Sequence, residues 1–559
     1  MNKRWAIPVL FFLFAVLPAP ARADVSVPAM FSDHAVLQRG VSVPVWGSAA
    51  AGEEVTVSFA GKDYSTVANG SGDWMVTLGP MEANGTGQAM TIAGNNVIII
   101  DDVLVGEVWL GSGQSNMQRP LSDDCYAIAA IDDAANYPGM RFFNVTASGG
   151  SVANTSWEVS DADSAASMSA VHYYFGRQLM SLQPGVPVGL ISSAVSGTAI
   201  ERWATCAGSG SLYTGQVAPL QPYAIKGATW YQGEWDSRSA NDAQNYYWQL
   251  PCLVNEWRSD WGQGDFPFYV VQMPKMGLKS IHIVRDAELQ AMLSDQKVEM
   301  IVTIDQEGRD VHPACKDPFG QRLANLALKL EYGVDVPARS PVHNAAASFV
   351  EGDSIHVVFD HVANGLDSGD GLALAEWEIA DANGNWYAAD AVISDTDTDT
   401  VIVSRPMPMT SSPVSARYAY SSDPAANNLV NSDGLPASPI REITPNPGMD
   451  NCGNSECGQE EDSCNCSVDC WDPPDSELSC DDGMDEDCDG LIDCDDGDCT
   501  GDPLCASTCG NGICDPSEDC RSCPGDCEGV TTGKPSNRYC CGNGEVEGPE
   551  GDGLCDDNP

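Results

Sequence analysis

The sequence predicts an α/β protein: a parallel sheet with a β domain before it, a β-sandwich after it and a disulfide-rich tail at the end. Three observations indicate this architecture. Apolar strand-like runs alternate with amphipathic helical segments from about residue 103 to 335, as is typical of parallel sheets covered by helices. Short alternating strands occupy residues 24–102 and 336–445. Of the 22 cysteines, 18 lie from Cys452 onward.

Residues 1–23 have the pattern of a secretory signal peptide. Two basic residues precede an apolar run from Ala6 to Leu17, and Ala21-Arg22-Ala23 has small residues at the spacing of a cleavage site. We therefore predict cleavage near Ala23 and a secreted, periplasmic or cell-surface protein; a retained amino-terminal anchor is the alternative. Because no later run reaches about 18 apolar residues, we expect no transmembrane segment.

The charge of the chain is strongly negative and unevenly distributed. The formal net charge is −53, and residues 446–559 hold 31 acidic and 3 basic residues. Such a surface repels nucleic acids and anionic membranes, so neither is expected as a partner. The length of 559 residues exceeds what one core accommodates and predicts roughly three or four domains.

Alternating apolar and polar residues identify the two β-rich segments. In residues 24–102 the strand-like runs are Val41–Trp46, Glu54–Phe59 and Asp73–Leu78. In residues 336–445 they are Ile355–Phe359, Thr400–Ser404 and Ala416–Tyr420. The first segment is predicted to be a small antiparallel domain and the second a β-sandwich.

Between these segments, residues 103–335 read as a catalytic domain of α/β type. Five runs have the composition of buried parallel strands, and they are Val105–Gly111, Val186–Ser192, Ala228–Tyr231, Phe268–Gln272 and Met300–Asp305. Amphipathic helical segments lie between or after them, including Ala165–Leu182 and Pro318–Leu330. This alternation predicts helices on both faces of the sheet.

Polar residues cluster directly after four of these strands. Ser115 follows the first strand, Gly197 the second, Gln232 the third, and Asp310-Val-His312 the fifth. Because ligands bind at the carboxyl ends of parallel strands, we expect these residues to lie together. Serine hydrolysis requires a hydroxyl, a base, a carboxylate that orients the base, and donors for an oxyanion. The clusters therefore predict an esterase with Ser115 as nucleophile, His312 as base and Asp310 as acid.

Each of these signals is weak when taken alone. A serine at such a position commonly caps a helix, and a lone histidine is more often a surface residue. Met117 stands where the Gly-x-Ser-x-Gly elbow of α/β-hydrolases has its second glycine. That departure excludes the elbow motif, whereas an acid and a histidine close together near the end of the domain resemble the arrangement of SGNH hydrolases.

Five separated motifs are Gly106–Met117, Gly197–Trp203, Trp230–Glu234, Asp310–Pro313 and Asn427–Pro439. In this order they resemble the sialate O-acetylesterase family of the SGNH-hydrolase superfamily, over about residues 25–442. The resemblance implies a Ser-His-Asp esterase that needs no cofactor for catalysis and acts on O-acetyl esters of sialic acids or related acetylated glycans. It implies Ser115 as nucleophile and His312 as base, with oxyanion donors at the Ser115 amide, Gly197 and Gln232.

Two positions depart from the family pattern. Arg309 stands three residues before the histidine, where many SGNH hydrolases carry their acid. The acid is therefore Asp310 or, as the alternative, Asp305. Asp236 stands where relatives often carry asparagine.

Three more side chains are candidate substrate contacts: Glu234, Arg202 and Trp203. Arg202 is a candidate to meet a substrate carboxylate and Trp203 to stack on a sugar ring. The favoured interpretations of these two side chains are nevertheless a surface ion pair and a core aromatic.

The tail, residues 446–559, contains cysteine-bounded repeats and one candidate calcium loop. Cys452–Cys470 and Cys509–Cys527 begin alike, and a third copy starts at Cys541. In an exported protein this cysteine density indicates disulfides. Acidic residues fall at calcium-loop positions around Gly490, and they are Asp485, Asp487, Asp489, Asp493 and Asp496. We predict a structural calcium ion there; a solvated acidic tail is the alternative.

The expected partner is an acetylated sugar or glycan, and the tail is a candidate contact with a cell surface or polysaccharide. An acetyl-xylan or general carbohydrate acetylesterase remains an alternative, because the same catalytic groups serve any sugar acetate. A non-catalytic surface adhesin is the second alternative. The presence of the serine, the histidine and a nearby acid argues against it.

Overall fold

The computed structural model describes residues 24–306, 311–407 and 409–444, and the backbone of two short strands at 529–530 and 539–540. The chain divides into two units. The first contains the described residues up to 345 and those from 354 to 444, and the second contains residues 346–353 and the chain from 445 onward. The signal peptide and calcium loop predicted from the sequence lie outside the described residues.

The strands are β1 Val36–Gln38, β2 Val43–Ser48, β3 Glu54–Phe59, β4 Lys62–Val67, β5 Asp73–Leu78, β6 Asn84–Ala93, β7 Val97–Gly113, β8 Met140–Asn144, β9 Trp157–Val159, β10 Val188–Ala194, β11 Gly227–Tyr231, β12 Phe268–Val271, β13 Val298–Ile301, β14 Val342–Glu351, β15 Ser354–Asp360, β16 Leu366–Ser368, β17 Trp377–Ala380, β18 Trp386–Ala388, β19 Asp390–Ile393, β20 Thr400–Ser404, β21 Ser415–Tyr418, β22 Leu429–Asn431, β23 Ile440–Ile443, β24 Gly529–Val530 and β25 Tyr539–Cys540. The α-helices are α1 Ser115–Gln118, α2 Ala127–Asp133, α3 Ala162–Ser167, α4 Ala170–Leu182, α5 Ala240–Trp261, α6 Ile281–Leu293 and α7 Asp317–Tyr332. In the second unit, β24 and β25 pair antiparallel.

The central sheet is mixed. Its parallel strands follow the order β13-β12-β11-β7-β10-β8, and β9 pairs antiparallel with β8 at one edge. Residues of β8 and of β10 to β13 are buried along their whole length. This burial explains why β11 and β12 appear in the sequence as apolar runs rather than as alternating ones. The α/β class is confirmed, with a mixed sheet instead of a purely parallel one.

Strand β7 joins the amino-terminal β segment to the central sheet. Its first part alternates between exposed and covered residues and pairs antiparallel with β6. Val103–Gly113 is buried throughout, and within it Glu107–Gly113 pairs parallel with β10 and Trp109–Gly113 with β11. Strand β1 also pairs parallel with β7, through Val36–Gln38. The domain boundary expected between residues 102 and 103 therefore falls inside a strand.

The helices that cover the sheet pack in two pairs, α4 with α7 and α5 with α6. Ser169 caps α4 by accepting a hydrogen bond from the His172 amide at 3.2 Å, and α7 ends at Gly333 in the left-handed conformation. Gly320 allows α4 and α7 to approach closely, because a Cβ there would lie 2.5 Å from the Cβ of Tyr174.

The β segments on either side are antiparallel. Strand β2 pairs with β5, and β3 pairs with β4 and β6. Carboxy-terminal to the catalytic region, β15, β20 and β19 pair with one another, and β18-β17-β21-β23 form another sheet. The strands predicted from alternation at Glu54–Phe59, Asp73–Leu78 and Thr400–Ser404 are confirmed at those residues.

Two disulfides connect distant parts of the first unit, Cys125–Cys315 and Cys206–Cys252. They use the four cysteines that precede the tail. Over the residues that the structure describes, none of the helices has the length and apolar character needed to cross a bilayer.

Candidate active site

Ser115 lies where β7 ends and α1 begins, at the carboxyl edge of the parallel sheet. The chain leaves the strand through Gly113, whose φ of 136° suits glycine, and a Cβ at this residue would lie 2.2 Å from the Tyr231 carbonyl oxygen. The Gln114 amide donates to that same oxygen at 3.0 Å. The turn that presents the serine is therefore held against β11.

His312 lies against this serine. Its Nε2 is 2.9 Å from the Ser115 Oγ, although 197 positions separate the two residues in the chain. Which atom donates depends on the imidazole tautomer. A hydroxyl and an imidazole at this distance can exchange a proton directly, as a nucleophile and its general base must.

The loop that carries His312 is fastened to the nucleophile helix and to the chain after it. Asn116, fully buried beside the nucleophile, donates from Nδ2 to the Val311 carbonyl oxygen at 2.9 Å. The Cys125 amide donates to the Ala314 oxygen at 3.1 Å, and a disulfide joins Cys125 to Cys315. Residues on both sides of the histidine are thus held in place.

Of the two candidate acids, Asp310 lies outside the described residues. Asp305 forms a two-pronged ion pair with Arg322, whose Nη1 and Nη2 lie 2.8 and 2.5 Å from its two carboxylate oxygens. The alternative acid Asp305 is thus paired with Arg322 through both of its carboxylate oxygens in this structure.

The two backbone oxyanion candidates lie on neighbouring strand ends. β10 runs beside β7, and the Val195 amide donates to the Gly113 oxygen at 3.0 Å. Two residues later the exposed Gly197 adopts a φ of 67°. Among the described residues, neither its amide nor that of Ser115 has a protein acceptor. Both N–H groups therefore remain available to a ligand at this edge.

Gln232 is differently placed. Its side chain is fully buried, and Nε2 lies 3.1 Å from Gln114 Oε1, 2.9 Å from the Thr198 oxygen and 2.5 Å from Asp236 Oδ2. The Tyr246 hydroxyl donates to Gln232 Oε1 at 3.0 Å. Three protein acceptors surround the two hydrogens of the Gln232 amide group. Gln232 must therefore break one of these hydrogen bonds before it can donate to an oxyanion.

None of the three predicted substrate contacts lines the pocket described below. Trp203 is fully buried, donates from Nε1 to Thr198 Oγ1 at 3.1 Å and packs edge-on against Trp230. The ring belongs to the core, which is the interpretation favoured from the sequence, and it does not offer a face to a sugar. Arg202 donates from Nε to Ser211 Oγ at 3.1 Å and does not line the pocket described below.

Glu234, the third predicted contact, is buried beneath the nucleophile helix, so its predicted role at the substrate is wrong. Its carboxylate accepts a hydrogen bond from Asn116 Nδ2. The Asn116 Oδ1 in turn accepts from the buried Lys316 Nζ at 2.5 Å. Burial raises the pKa of Glu234 to about 7, against the opposing effect of the Asn116 hydrogen bond.

Asp236 is a second buried carboxyl group near the site. Burial raises its pKa to about 7, while Gln232 and the Ile200 amide donate to its Oδ2 at 2.5 and 3.3 Å. The position that departs from the family pattern therefore holds together the Gln232 and Gly197–Trp203 segments from inside.

A cavity of about 590 Å³ opens over the Ser115–His312 pair, within the range of small-molecule sites. Its wall comes from the segment after α1, from the end of β8, and from α3, and the lining residues are Ser115, Gln118, Arg119, Pro120, Ser122, Thr146, Ala147, Asp163, Ala166, Ser167, Ser196 and His312. Of these, Ser115 and His312 were predicted from the sequence. Thr146 was not, because it follows β8, a strand that the apolar pattern did not predict.

In residues 24–306, 311–407 and 409–444, no three His, Cys, Asp or Glu side chains lie together in a way that could hold a metal ion. The predicted ligands Asp485–Asp496 lie outside the described residues.

Comparisons with known proteins agree with this geometry. Residues 105–329 match the family described as "Carbohydrate esterase, sialic acid-specific acetylesterase". Sialate O-acetylesterases of Mus musculus and Homo sapiens are 29% and 27% identical to the chain, over 54% of it and over 72% and 70% of their own lengths. The crystal structure of a carbohydrate acetylesterase from Xanthomonas citri superposes with a TM-score of 0.69 at 31% identity, covering 74% of this chain and 99% of that one.

The matched region contains the strand ends, the serine and the histidine described above, and the solved relative is covered over nearly its whole length. The resemblance stated from the five motifs is confirmed. The chain belongs to the sialic acid-specific acetylesterase family of carbohydrate esterases and is a hydrolase of carboxylic esters.

Proposed function

We propose that this protein removes O-acetyl groups from sialic acids through an acyl-enzyme formed on Ser115. The observation that carries the proposal is the 2.9 Å contact between Ser115 Oγ and His312 Nε2 at the floor of a sugar-sized cavity. A non-catalytic adhesin would have no need of such a pair in an open pocket.

In the first half of the reaction, His312 takes the Ser115 proton while Oγ attacks the acetyl carbonyl carbon. The tetrahedral oxyanion is held by the Ser115 and Gly197 amides, and by Gln232 once it releases an acceptor. Each such donor contributes roughly 10²–10³ in rate. The intermediate collapses when the C–O bond to the sugar breaks and His312 gives its proton to the departing sugar oxygen.

In the second half, His312 takes a proton from water as the water attacks the acetyl carbonyl of the acyl-enzyme. Acetate leaves, and the proton returns to Ser115. Asp310 is the proposed acid: two residues before the base, it would accept from the other imidazole nitrogen and stabilise the imidazolium. No metal or other cofactor enters these steps.

Secretion is proposed on separate grounds. Disulfides persist in oxidising compartments, and two of them, Cys125–Cys315 and Cys206–Cys252, fasten the body of the enzyme. Together with the predicted cleavage near Ala23, they support export of the mature chain.

The test compares wild type with Ser115→Ala on O-acetylated sialic acid, acetylated xylan and p-nitrophenyl acetate, with released acetate or nitrophenol measured. Ser115→Ala should lose at least about a thousandfold in kcat on every substrate. Ser181→Ala, the same change on an exposed side chain of α4, is the matched control and should match wild type.

Retention of more than about one hundredth of the wild-type rate by Ser115→Ala would refute the nucleophile assignment. Faster turnover of acetylated xylan than of acetylated sialic acid would instead favour the alternative, an acetyl-xylan or general carbohydrate acetylesterase.

A further inference from the structure

The cavity over Ser115 has few charged groups in its wall: Arg119, Asp163 and the base His312. We propose that Arg119 binds the carboxylate of the substrate and thereby selects acetylated sugar acids over neutral sugar acetates. The inference deepens the proposed function and rests on it. It gives Arg119 the role that the sequence analysis assigned to Arg202, whose Nε is bonded to Ser211.

The backbone of Arg119 is fixed relative to the nucleophile. Its amide donates to the Ser115 carbonyl oxygen at 2.9 Å, and its own carbonyl oxygen accepts from the Ala170 amide at 3.0 Å. The arginine lies four residues after the serine, so both residues belong to the same short stretch of chain. Because Arg119 also lines the cavity, its guanidinium is within reach of a sugar that is bound there.

The guanidinium has only a loose protein partner. Asp123, four residues further on, lies 3.5 Å from Arg119 Nη2, and the side chains are 34% and 51% exposed respectively. Exposed pairs of this kind are weak, because water screens them and both side chains are free to move. No other carboxylate among the described residues lies within 4 Å of Arg119. A substrate carboxylate can therefore take the place of Asp123.

The chemistry favours arginine for this task. Its planar fork donates two parallel hydrogen bonds to a carboxylate, which fixes orientation as well as charge. A cation at this wall also offsets the carboxylate of Asp163, which lines the same cavity. Without Arg119, an anionic sugar would enter a pocket whose fixed charge is negative.

The test measures acetate release from three substrates: an O-acetylated N-acetylneuraminic acid, its carboxyl methyl ester, and p-nitrophenyl acetate. Arg119→Gln should raise KM for the free acid about tenfold with kcat nearly unchanged, the equivalent of one lost charged hydrogen-bonding contact. The same variant should change kcat/KM for the methyl ester and for p-nitrophenyl acetate by less than roughly twofold.

Two further variants sharpen the result. Asp123→Asn removes the competing carboxylate and should lower KM for the free acid, which a merely structural arginine would not produce. Arg417→Gln removes the same charge from a strand of the carboxy-terminal β sheets, where Arg417 pairs with Glu378 at 2.7 Å, and should leave all three substrates unaffected. Added salt should reduce the preference of wild type for the free acid.

The proposal is overturned if wild type does not prefer the free acid over its methyl ester. It is also overturned if Arg119→Gln slows all three substrates equally, because that pattern indicates a structural role. Either result can occur while Ser115→Ala still abolishes hydrolysis, so failure of this inference is distinguishable from failure of the esterase assignment. If Ser115→Ala remains active, the proposed function fails on its own test.

Discussion

The buried Glu234 beneath the nucleophile helix should make the stability of the protein depend on pH. Burial raises its pKa from 4.5 to about 7 in the folded protein, so the folded state holds a proton that the unfolded chain releases between these values. A raised acid pKa adds stability that is fully present below pH 4.5 and is lost as pH rises through 7.

Each unit of pKa shift corresponds to about 1.4 kcal/mol. The proton on Glu234 therefore contributes about 3 kcal/mol to the free energy of unfolding, and this contribution is lost as pH rises from 4.5 to about 7. Glu234→Gln replaces the carboxyl group with a neutral group of the same shape. Its Oε1 can still accept from Asn116, but its amide group would lie at the position of Oε2, which has no partner among the described residues. That mismatch lowers stability equally at every pH, so the slope with pH, and not the absolute stability, is the informative quantity.

The assay is urea unfolding of wild type and Glu234→Gln at pH 5, 6, 7 and 8. The free energy of unfolding of wild type should fall relative to that of the variant by about 2–3 kcal/mol across this range. Asp236, whose pKa is also raised to about 7, is present in both proteins, so its contribution to the pH dependence cancels to first order in the comparison. A difference between the two proteins that stays constant from pH 5 to 8 would refute the assignment of a protonated, buried Glu234.

Two other outcomes are expected. Serine substitution of the Cys125–Cys315 pair, which closes a loop with a sequence separation of 190, should lower the free energy of unfolding by about 5 kcal/mol. It should also lower kcat/KM, because it loosens the loop that carries His312. Serine substitution of the Cys206–Cys252 pair, with a separation of 46, should lower the free energy of unfolding by about 4 kcal/mol with little effect on turnover. Thermal unfolding and p-nitrophenyl acetate kinetics distinguish the two. Chelation by EDTA, or truncation after Thr444, should leave turnover of small acetyl esters unchanged while EDTA makes the tail more sensitive to protease; loss of turnover in either experiment would contradict the separation of body and tail.

The sequence predicted the placement of Ser115 and His312 because strand ends impose it. Once β7 and β13 are recognised as strands of one parallel sheet, the residues that follow them must reach the same edge. The buried runs are readable because a strand covered on both faces is apolar at successive positions. The expected strands at residues 228–231 and 268–272 were found nearly as predicted for this reason.

Side-chain direction could not be read in the same way. Trp203 and Glu234 are the last residues of two of the motifs, yet one packs against Trp230 and the other lies under Asn116. Adjacency in the chain does not determine whether a side chain after a strand end faces the pocket or the core. That choice depends on packing partners that come from distant segments.

The pocket wall was hidden for a different reason. Thr146 follows β8, a five-residue strand with an arginine at its second position, which breaks the apolar pattern expected of a buried strand. Asp163 comes from α3, a helix of six residues too short to show a clear period. The substrate-facing surface is therefore built from elements with the weakest sequence signal.

Strand β7 has a consequence for how this enzyme can be divided or recombined. Val97–Gly113 is a single strand. Strands β1 and β6 are therefore hydrogen-bonded to the same strand that ends at the turn carrying the nucleophile. A chain begun at Val103 would keep every catalytic side chain, but it would lack β1, which pairs with Leu104–Gly106, and the first part of β7. The amino-terminal β segment is thus a fixed part of the scaffold, and exchange of modules between relatives should succeed after residue 444 sooner than before residue 113.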